Sequence, residues 1–195
     1  SNWSVDFGVY KLVLGNQVWE DLDLDGKKDA SEPVLSGVVV NLVEPGSGNI
    51  ISTTTTEANG LYTFTGMSEG QYQVVIVPPT GYGATIVPNV GQPLASDNDS
   101  DGQPTAGNIA SAIFTLDAGT VITGVQSVDS ATGTTTNPSV DFGLIRAMDW
   151  GDLPADYNTL HADDGAYHII TDTLQIGANV DAEPNGQPSS SATGD

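Results

Sequence analysis

Glycine and proline interrupt this sequence so often that short β-strands are its natural building blocks. The chain has 23 glycines and 11 prolines among 195 residues, and no stretch shows a sustained helical stripe of apolar residues. In the run from residue 72 to residue 77, Tyr72, Val74 and Ile76 fall on one face and the intervening residues on the other. Short strands between turns predict an all-β fold.

Nine such strands can be placed in one unit of the sequence. We predict them near residues 12–19, 37–44, 50–57, 61–67, 71–78, 82–87, 109–116, 120–129 and 138–145. Residues 57–60 carry the Asn-Gly pair that tight turns favour, so we predict a hairpin turn there. Strands at this spacing predict a two-sheet, Ig-like β-sandwich. The chain contains no cysteine, so disulfides do not support this core.

The chain also contains an internal repeat. Ser4-Val-Asp-Phe-Gly-Val-Tyr10 recurs as Ser139-Val-Asp-Phe-Gly-Leu-Ile145, an offset of 135 residues from Val5 to Val140. Residues 11–145 are then one whole unit, and residues 146–195 are a different, partial module. Residues 1–10 would be the closing strand of a preceding repeat, or a strand donated to a neighbouring subunit, because an orphan strand needs an acceptor. We favour the covalent tandem, since Ile145 makes the unit self-sufficient.

The strongest chemical signal is a twelve-residue acidic loop at residues 21–32. Its acidic positions 1, 3, 5, 9 and 12 and the glycine at position 6 match a calcium-binding loop. Calcium takes six to eight oxygen ligands. The predicted ligands are the side chains of five acidic residues and one main-chain carbonyl: Asp21, Asp23, Asp25, the Lys27 carbonyl, Asp29 and a bidentate Glu32. Strand-like sequence on both sides predicts that the ion stiffens a β-fold, whereas an EF-hand sensor would need flanking helices.

The charge of the chain excludes several classes of partner. It carries 25 acidic and four basic residues, a formal net charge of −21. Nucleic acid and anionic membrane surfaces would be repelled. No run reaches the length of a membrane span, so we expect no membrane insertion in this segment. Any secretion signal or wall anchor would lie outside it.

Several motifs together resemble the B-type repeat of staphylococcal Ser-Asp-repeat surface adhesins. They are Leu14-Gly-Asn-Gln-Val-Trp19 with its acidic loop, the strand Leu35 to Val43, Thr53 to Phe64, Gly70 to Val75, Pro79-Thr-Gly-Tyr82 and the closing Val140-Asp-Phe-Gly143. The resemblance covers roughly residues 11–145 and implies a Cna-B-like sandwich. It further implies a secreted, calcium-stabilised stalk module that is used in tandem at a bacterial cell surface. A second acidic cluster resembles another ion site of this family, with Asp97, Asp99 and Asp101 as candidate ligands.

The segment from Asp149 onward, with Asp149-Trp-Gly-Asp-Leu-Pro154 and Gly165-Ala-Tyr-His-Ile169, resembles a different acidic module of large bacterial surface proteins. Asp181, Glu183 and Asn185 repeat the first half of a calcium loop, followed by Gly186. The twelfth place is Ala192, which cannot ligate through its side chain. We therefore treat this segment as a weak metal candidate in a mostly irregular or β module.

Three classes of function compete. We favour a calcium-stabilised extracellular structural repeat of a bacterial stalk, adhesin or fibre, whose partners are neighbouring copies and, through other domains, a host or matrix ligand. The alternative is a ligand-binding or carbohydrate-binding adhesin head, which would need an exposed aromatic platform. We do not expect an enzyme. Residues 66–70 fit the Gly-x-Ser-x-Gly nucleophile pattern, but they connect two predicted strands where that motif needs a strand followed by a helix.

Overall fold

The computed structural model describes most of the chain. The described residues are 11–85, 99–116, 127–129, 134–137, 140–170, 182–183 and 185–191, and the side chains of Lys11, 127–129 and 134–137 are outside the description. The predicted closing or donor strand at residues 1–10 therefore lies outside the described residues.

Fourteen short strands are described. The first seven are Lys11–Glu20 (β1), Val39–Val43 (β2), Ile50–Thr55 (β3), Leu61–Met67 (β4), Gly70–Val77 (β5), Tyr82–Ala84 (β6) and Gln103–Thr105 (β7). The others are Asn108–Ala110 (β8), Phe114–Leu116 (β9), Ser127–Asp129 (β10), Thr134–Asn137 (β11), Phe142–Arg146 (β12), Met148–Trp150 (β13) and Tyr167–Ile169 (β14). Helical structure in the described ranges is limited to two 3₁₀ turns, Ala155–Tyr157 and His161–Asp163. None of it has the length and apolar character that crossing a bilayer requires.

Two six-stranded sheets form a sandwich. One has the order β10-β11-β1-β12-β6, with β4 also paired to β1. The second has the order β3-β2-β5-β8-β7, with β9 also paired to β5. The long strand β1 organises the first sheet, because it pairs in parallel with both β11 and β12 and antiparallel with β4. The prediction of an all-β, two-sheet sandwich is confirmed.

The core lies between the inner faces of the two sheets. On β5, Tyr72, Val74 and Ile76 are buried, as the alternating pattern predicts. The buried cluster draws on strands of both sheets and comprises Leu12, Leu14, Val18, Val38, Val40, Leu42, Tyr62, Phe64, Tyr72, Val74, Ile76, Ile109, Phe114, Leu116, Val140, Phe142 and Leu144. Burial of this apolar surface is the main favourable contribution to the fold.

The second copy of the repeat motif closes the sandwich through its own side chains. Asp141 accepts hydrogen bonds from the Gln17 amide at 3.0 Å and from the Asn16 side chain at 3.0 Å. Phe142 is fully buried next to it. These bonds tie the start of β12 to β1 and fix the register of the two strands.

Two local predictions differ from the structure. The turn at residues 57–60 has a hydrogen bond from the Gly60 amide to the Glu57 carbonyl, but it joins β3 and β4, which belong to opposite sheets. It is therefore a crossing between sheets and not a hairpin. The strand predicted at 109–116 is divided into β8 and β9 at Ser111, whose amide still donates to the Val74 carbonyl but whose hydroxyl, and not its carbonyl, accepts the Val74 amide.

The segment after β12 forms a small separate layer. Strands β13 and β14 pair as an antiparallel two-stranded sheet. Trp150 stacks on Tyr167 with ring centroids 4.7 Å apart. Its backbone amide donates to the Glu183 carboxylate at 3.1 Å, and the Glu183 amide donates to the Met148 carbonyl at 3.0 Å. These contacts gather distant parts of this segment around β13.

Candidate metal site

The acidic loop at residues 21–32 begins where β1 ends. The Glu20 amide donates to the Pro33 carbonyl at 2.9 Å, so the two ends of the loop are held together. The Asp21 amide donates to the Leu144 carbonyl of β12 at 2.8 Å. An isolated bridge between Trp19 and Val34 continues the closure. The loop thus leaves the sandwich at the end of β1 and returns to the same place.

Three of the predicted ligands converge. One carboxylate oxygen of each of Asp21, Asp23 and Asp25 lies within 4.8 Å of those of the other two. Calcium–oxygen distances of about 2.3–2.6 Å allow ligands of one ion to lie up to about 5 Å apart. The three aspartates therefore have a spacing that a single calcium ion fits.

The backbone of the loop is curled by its own side chains. The Gly26 amide donates to Asp21 Oδ2 at 3.0 Å, and the Lys27 amide donates to Asp25 Oδ1 at 2.7 Å. Gly26 has φ +77° and Leu24 has φ +63°, both in the left-handed region. Glycine enters this region freely, whereas leucine does so only where its surroundings hold it. The Asp-x-Asp-x-Asp-Gly pattern thus produces the turn that brings the carboxylates together.

Asp21 is the buried member of the group. Its side chain is 2% exposed. Asp21 Oδ2 accepts the Gly26 amide and the Thr85 hydroxyl. Asp21 Oδ1 is buried and lacks a hydrogen-bond partner among the described residues. A carboxylate oxygen buried in this way is unfavourable unless a cation or donor satisfies it. Thr85 was not found by sequence reasoning, because a single threonine 64 positions away gives no local signal.

Glu32 closes the loop from the far end. Its two carboxylate oxygens accept the Leu22 amide at 2.7 Å and the Asp29 amide at 2.9 Å. Burial raises the pKa of Glu32, and the charges of Asp21 and Asp23 add to this, although the two amide bonds act in the opposite direction. A carboxylate offers about four lone-pair sites, so each oxygen can still accept a metal ion. The bidentate role of Glu32 stays a prediction.

Lys27 and Asp29, the two remaining predicted ligand positions, lie at the exposed side of the loop. The side chain of Asp29 is exposed. Lys27 forms an isolated antiparallel bridge with Asp99, and the Ser100 amide donates to the Gly26 carbonyl at 2.8 Å. Ligation by Asp29 and by the Lys27 carbonyl stays a prediction. The bridge shows that the second acidic cluster lies directly against the first loop.

The described part of that second cluster is buried. Asp99 and Asp101 are both buried, while Asp97 lies outside the described residues. Asp101 Oδ2 accepts the Asp141 amide at 2.9 Å, and the Asp101 amide donates to the Asp141 carbonyl. Burial raises the pKa of Asp101 to about 8. The hydrogen bond from the Asp141 amide lowers this pKa, and the charge of Asp99 raises it further. One Asp101 oxygen is therefore used to position β12, and a second ion site stays a prediction.

The weak candidate in the C-terminal segment is only partly described. Asp181 lies outside the described residues, and one Glu183 oxygen accepts the Trp150 amide. Asn185 Oδ1 accepts the His161 amide at 2.7 Å and the Gly186 amide at 2.9 Å. These oxygens hold backbone segments in place, and metal binding here stays a prediction.

Fold and loop together define a class of protein. It is a β-sandwich repeat whose first strand ends in a closed, oxygen-rich acidic loop. The family model of the SdrD B-like domain matches residues 12–144 of this chain, and the chain belongs to that family. The predicted resemblance of residues 11–145 to the B-type repeat is therefore confirmed.

Known relatives of this chain are much longer proteins. The bone sialoprotein-binding protein of Staphylococcus aureus strain MRSA252 is 43% identical over 120 residues, which cover 60% of this chain and 10% of that protein. Serine-aspartate repeat-containing protein E of strain MSSA476 has the same identity and coverage. The chain thus spans about a tenth of the length of these curated relatives.

A solved structure with a related shape is the backbone protein of the group B streptococcus pilus 2b. It is 14% identical, with a TM-score of 0.35, over 70% of this chain and 40% of that one. Likeness at this level carries no functional argument.

Proposed function

We propose that this chain is a calcium-stabilised structural repeat of a bacterial surface or extracellular stalk. The observation that carries the calcium part is the Oδ1 atom of Asp21, which is buried and has no hydrogen-bond partner among the described residues, in a side chain that is grouped with Asp23 and Asp25. The group is all oxygen and strongly acidic, which suits a hard cation such as calcium. The residues present fit the ion.

Calcium bound in the acidic loop would stabilise the folded sandwich. The loop joins the end of β1 to β2 and is bonded to β12 through Asp21 and Leu144. Without a cation, the clustered carboxylates repel one another in a chain that already carries a net charge of −21. A bound ion removes this repulsion and fixes the connection between strands of both sheets. Its role is therefore structural.

The family supports a proposal on location and partners. Relatives are named as serine-aspartate repeat and sialoprotein-binding proteins of a bacterium, and this chain corresponds to a small part of them. We infer an extracellular module whose partners are neighbouring repeats, joined in a covalent tandem or by strand donation. Any host or matrix ligand would bind through other domains.

Thermal unfolding tests the calcium part. Calcium at about one hundred times its dissociation constant stabilises a native state by about 2.7 kcal/mol per site. We expect EDTA to lower the melting temperature by several degrees, and Asp25→Ala to remove most of the calcium response. Glu57→Ala, which removes an exposed carboxylate outside the loop, is the matched control and should respond like the wild type. A melting curve that does not change in EDTA, with no calcium found by elemental analysis, would overturn the proposal.

Particle shape tests the stalk part. Rigid sandwiches joined at short junctions should give extended particles in small-angle scattering or electron microscopy of the native, full-length material. Compact and unconnected particles in millimolar calcium would contradict a stalk. Denaturing gels separate the two modes of joining, because donated strands dissociate to single chains and a covalent tandem does not.

The alternative functions find less support. Trp19 and Trp150, the two tryptophans that the structure describes, are buried and cannot form an exposed sugar-binding platform. The Gly-x-Ser-x-Gly sequence forms the turn between β4 and β5, so Ser68 follows a strand and precedes a strand. That context does not match a nucleophile elbow.

A further inference from the structure

One apolar side chain connects the acidic loop to the segment that follows the sandwich. Leu24, in the middle of the loop, is 6% exposed and packs in a buried cluster with Ile145, Met148 and Trp150. Leu22, two positions earlier, is 54% exposed. The fourth position of the loop offers no side-chain oxygen to an ion, so ligation does not account for the burial of Leu24.

The conformation of Leu24 couples this contact to the shape of the loop. Its φ of +63° is unfavourable for a residue with a Cβ atom. The curl that brings Asp23 and Asp25 together with Asp21 is the same curl that turns Leu24 toward β13. Burial of the leucine side chain offsets the backbone strain. A loop that opened would therefore lose both the carboxylate group and the apolar contact.

Two residues of the cluster that contains Leu24 hold the C-terminal segment together. Met148 and Trp150 belong to β13, which pairs with β14. Trp150 stacks on Tyr167, and both Met148 and Trp150 are hydrogen-bonded through their backbones to Glu183. A change in the position of β13 would be passed to these partners, because they form one contiguous set of contacts.

We propose that the acidic loop is an ion-dependent clamp on the segment after the sandwich, with Leu24 as the coupling residue. A cation that fixes the loop presses Leu24 against Met148 and Trp150 and so immobilises β13 relative to β12. This proposal rests on calcium binding at the loop, as proposed above. Coupling is reciprocal: if calcium strengthens the Met148 contact by some factor, loss of that contact lowers the calcium affinity by the same factor.

Hydrogen exchange measured by mass spectrometry on the full chain tests the clamp, with calcium binding measured separately by calorimetry. In the wild type, calcium should slow exchange of the β13 and β14 amides by about tenfold, a typical coupling. Leu24→Gly removes the side chain and also relieves the left-handed backbone. It should still bind calcium, but the slowing at β13 and β14 should fall to about twofold or less, well below a typical coupling.

Leu22→Ala is the matched control in the same loop and should behave like the wild type in both measurements. Calcium binding without any slowing at β13 in the wild type would overturn the clamp and leave the calcium proposal intact. Absence of calcium binding in the wild type would overturn the calcium proposal, and the clamp with it. Loss of calcium binding in Leu24→Gly would show that Leu24 shapes the site itself, and would overturn its assignment as a coupling residue.

Discussion

Gly143 lies directly opposite Trp19 in the pairing of β12 with β1, and the indole ring occupies the space that a side chain at position 143 would need. A Cβ atom there would lie 3.1 Å from Trp19 Cζ2 and 3.4 Å from Ser100 Cβ. Trp19 is fully buried, so a shift of its ring would have to displace other core side chains. Close contact between the strands therefore favours glycine at this position of the repeated Val-Asp-Phe-Gly motif.

Gly143→Ala should accordingly destabilise the sandwich by about 1–3 kcal/mol, the usual range for overpacking a core. Denaturant unfolding followed by tryptophan fluorescence measures this difference. Gly83→Ala, on the neighbouring strand β6, is the control, because a Cβ atom there meets nothing within 4 Å. Equal stability of the two variants would contradict the steric explanation.

Asp21→Asn should have opposite effects on the melting temperature in the absence and in the presence of calcium. Without calcium, the substitution removes one of three clustered charges and places a donor near the Asp23 and Asp25 carboxylates, so we expect a higher melting temperature. With calcium, the loss of a charged ligand should lower the melting temperature relative to the wild type. Paired melting curves in EDTA and in excess calcium measure both effects. A shift in the same direction under both conditions would refute Asp21 as a ligand.

Asp101 gives the sandwich a pH dependence. Its folded-state pKa is raised to about 8 from an ordinary value of 3.8. Between these values the folded protein holds a proton that the unfolded chain has lost, so this group makes stability fall as pH rises. Asp101→Asn should flatten that part of the profile of unfolding free energy against pH in EDTA. Asp163→Asn, at an exposed position, should leave the profile unchanged.

Calcium affinity should itself depend on pH through Glu32. The pKa of Glu32 is raised by burial, and calcium binds the ionised carboxylate. As pH falls, the affinity should therefore begin to decline at a higher pH than for an ordinary glutamate. Calorimetric titrations at several pH values measure this, and Glu32→Gln should bind more weakly with a flatter dependence. An affinity in the wild type that stays constant down to the ordinary glutamate pKa of 4.5 would contradict a ligand role for Glu32.

Local features of the site could be predicted from the sequence. The alternation of Asp21, Asp23 and Asp25 before Gly26 predicts the curl of the loop from neighbouring residues, and the structure brings these carboxylates together. The alternating burial of β5 is equally local, since it depends only on the period of a strand. Features of this kind need no knowledge of the rest of the fold.

Features that depend on distant partners could not be predicted. Leu22 and Leu24 are the same residue type two positions apart, and only packing with distant residues of β12 and β13 buries Leu24. The Asn-Gly turn at residues 57–60 has ordinary turn chemistry, which does not reveal whether the next strand joins the same sheet or the opposite one. The burial of Asp101 likewise depends on Asp141, forty positions later in the chain.

The parallel arrangement of β1 and β12 has a mechanical consequence. Because both strands run in the same direction and pair at Val18–Phe142 and Glu20–Leu144, the chain enters the sandwich at one pole with Lys11 and leaves it at the opposite pole with Arg146. Tension applied through these two ends is directed along the strands, so it shears the ladder between β1 and β12. In shear the hydrogen bonds share the load, whereas unzipping would break them one at a time. The topology thus aligns the ladder between β1 and β12 with the direction in which the proposed stalk would be pulled.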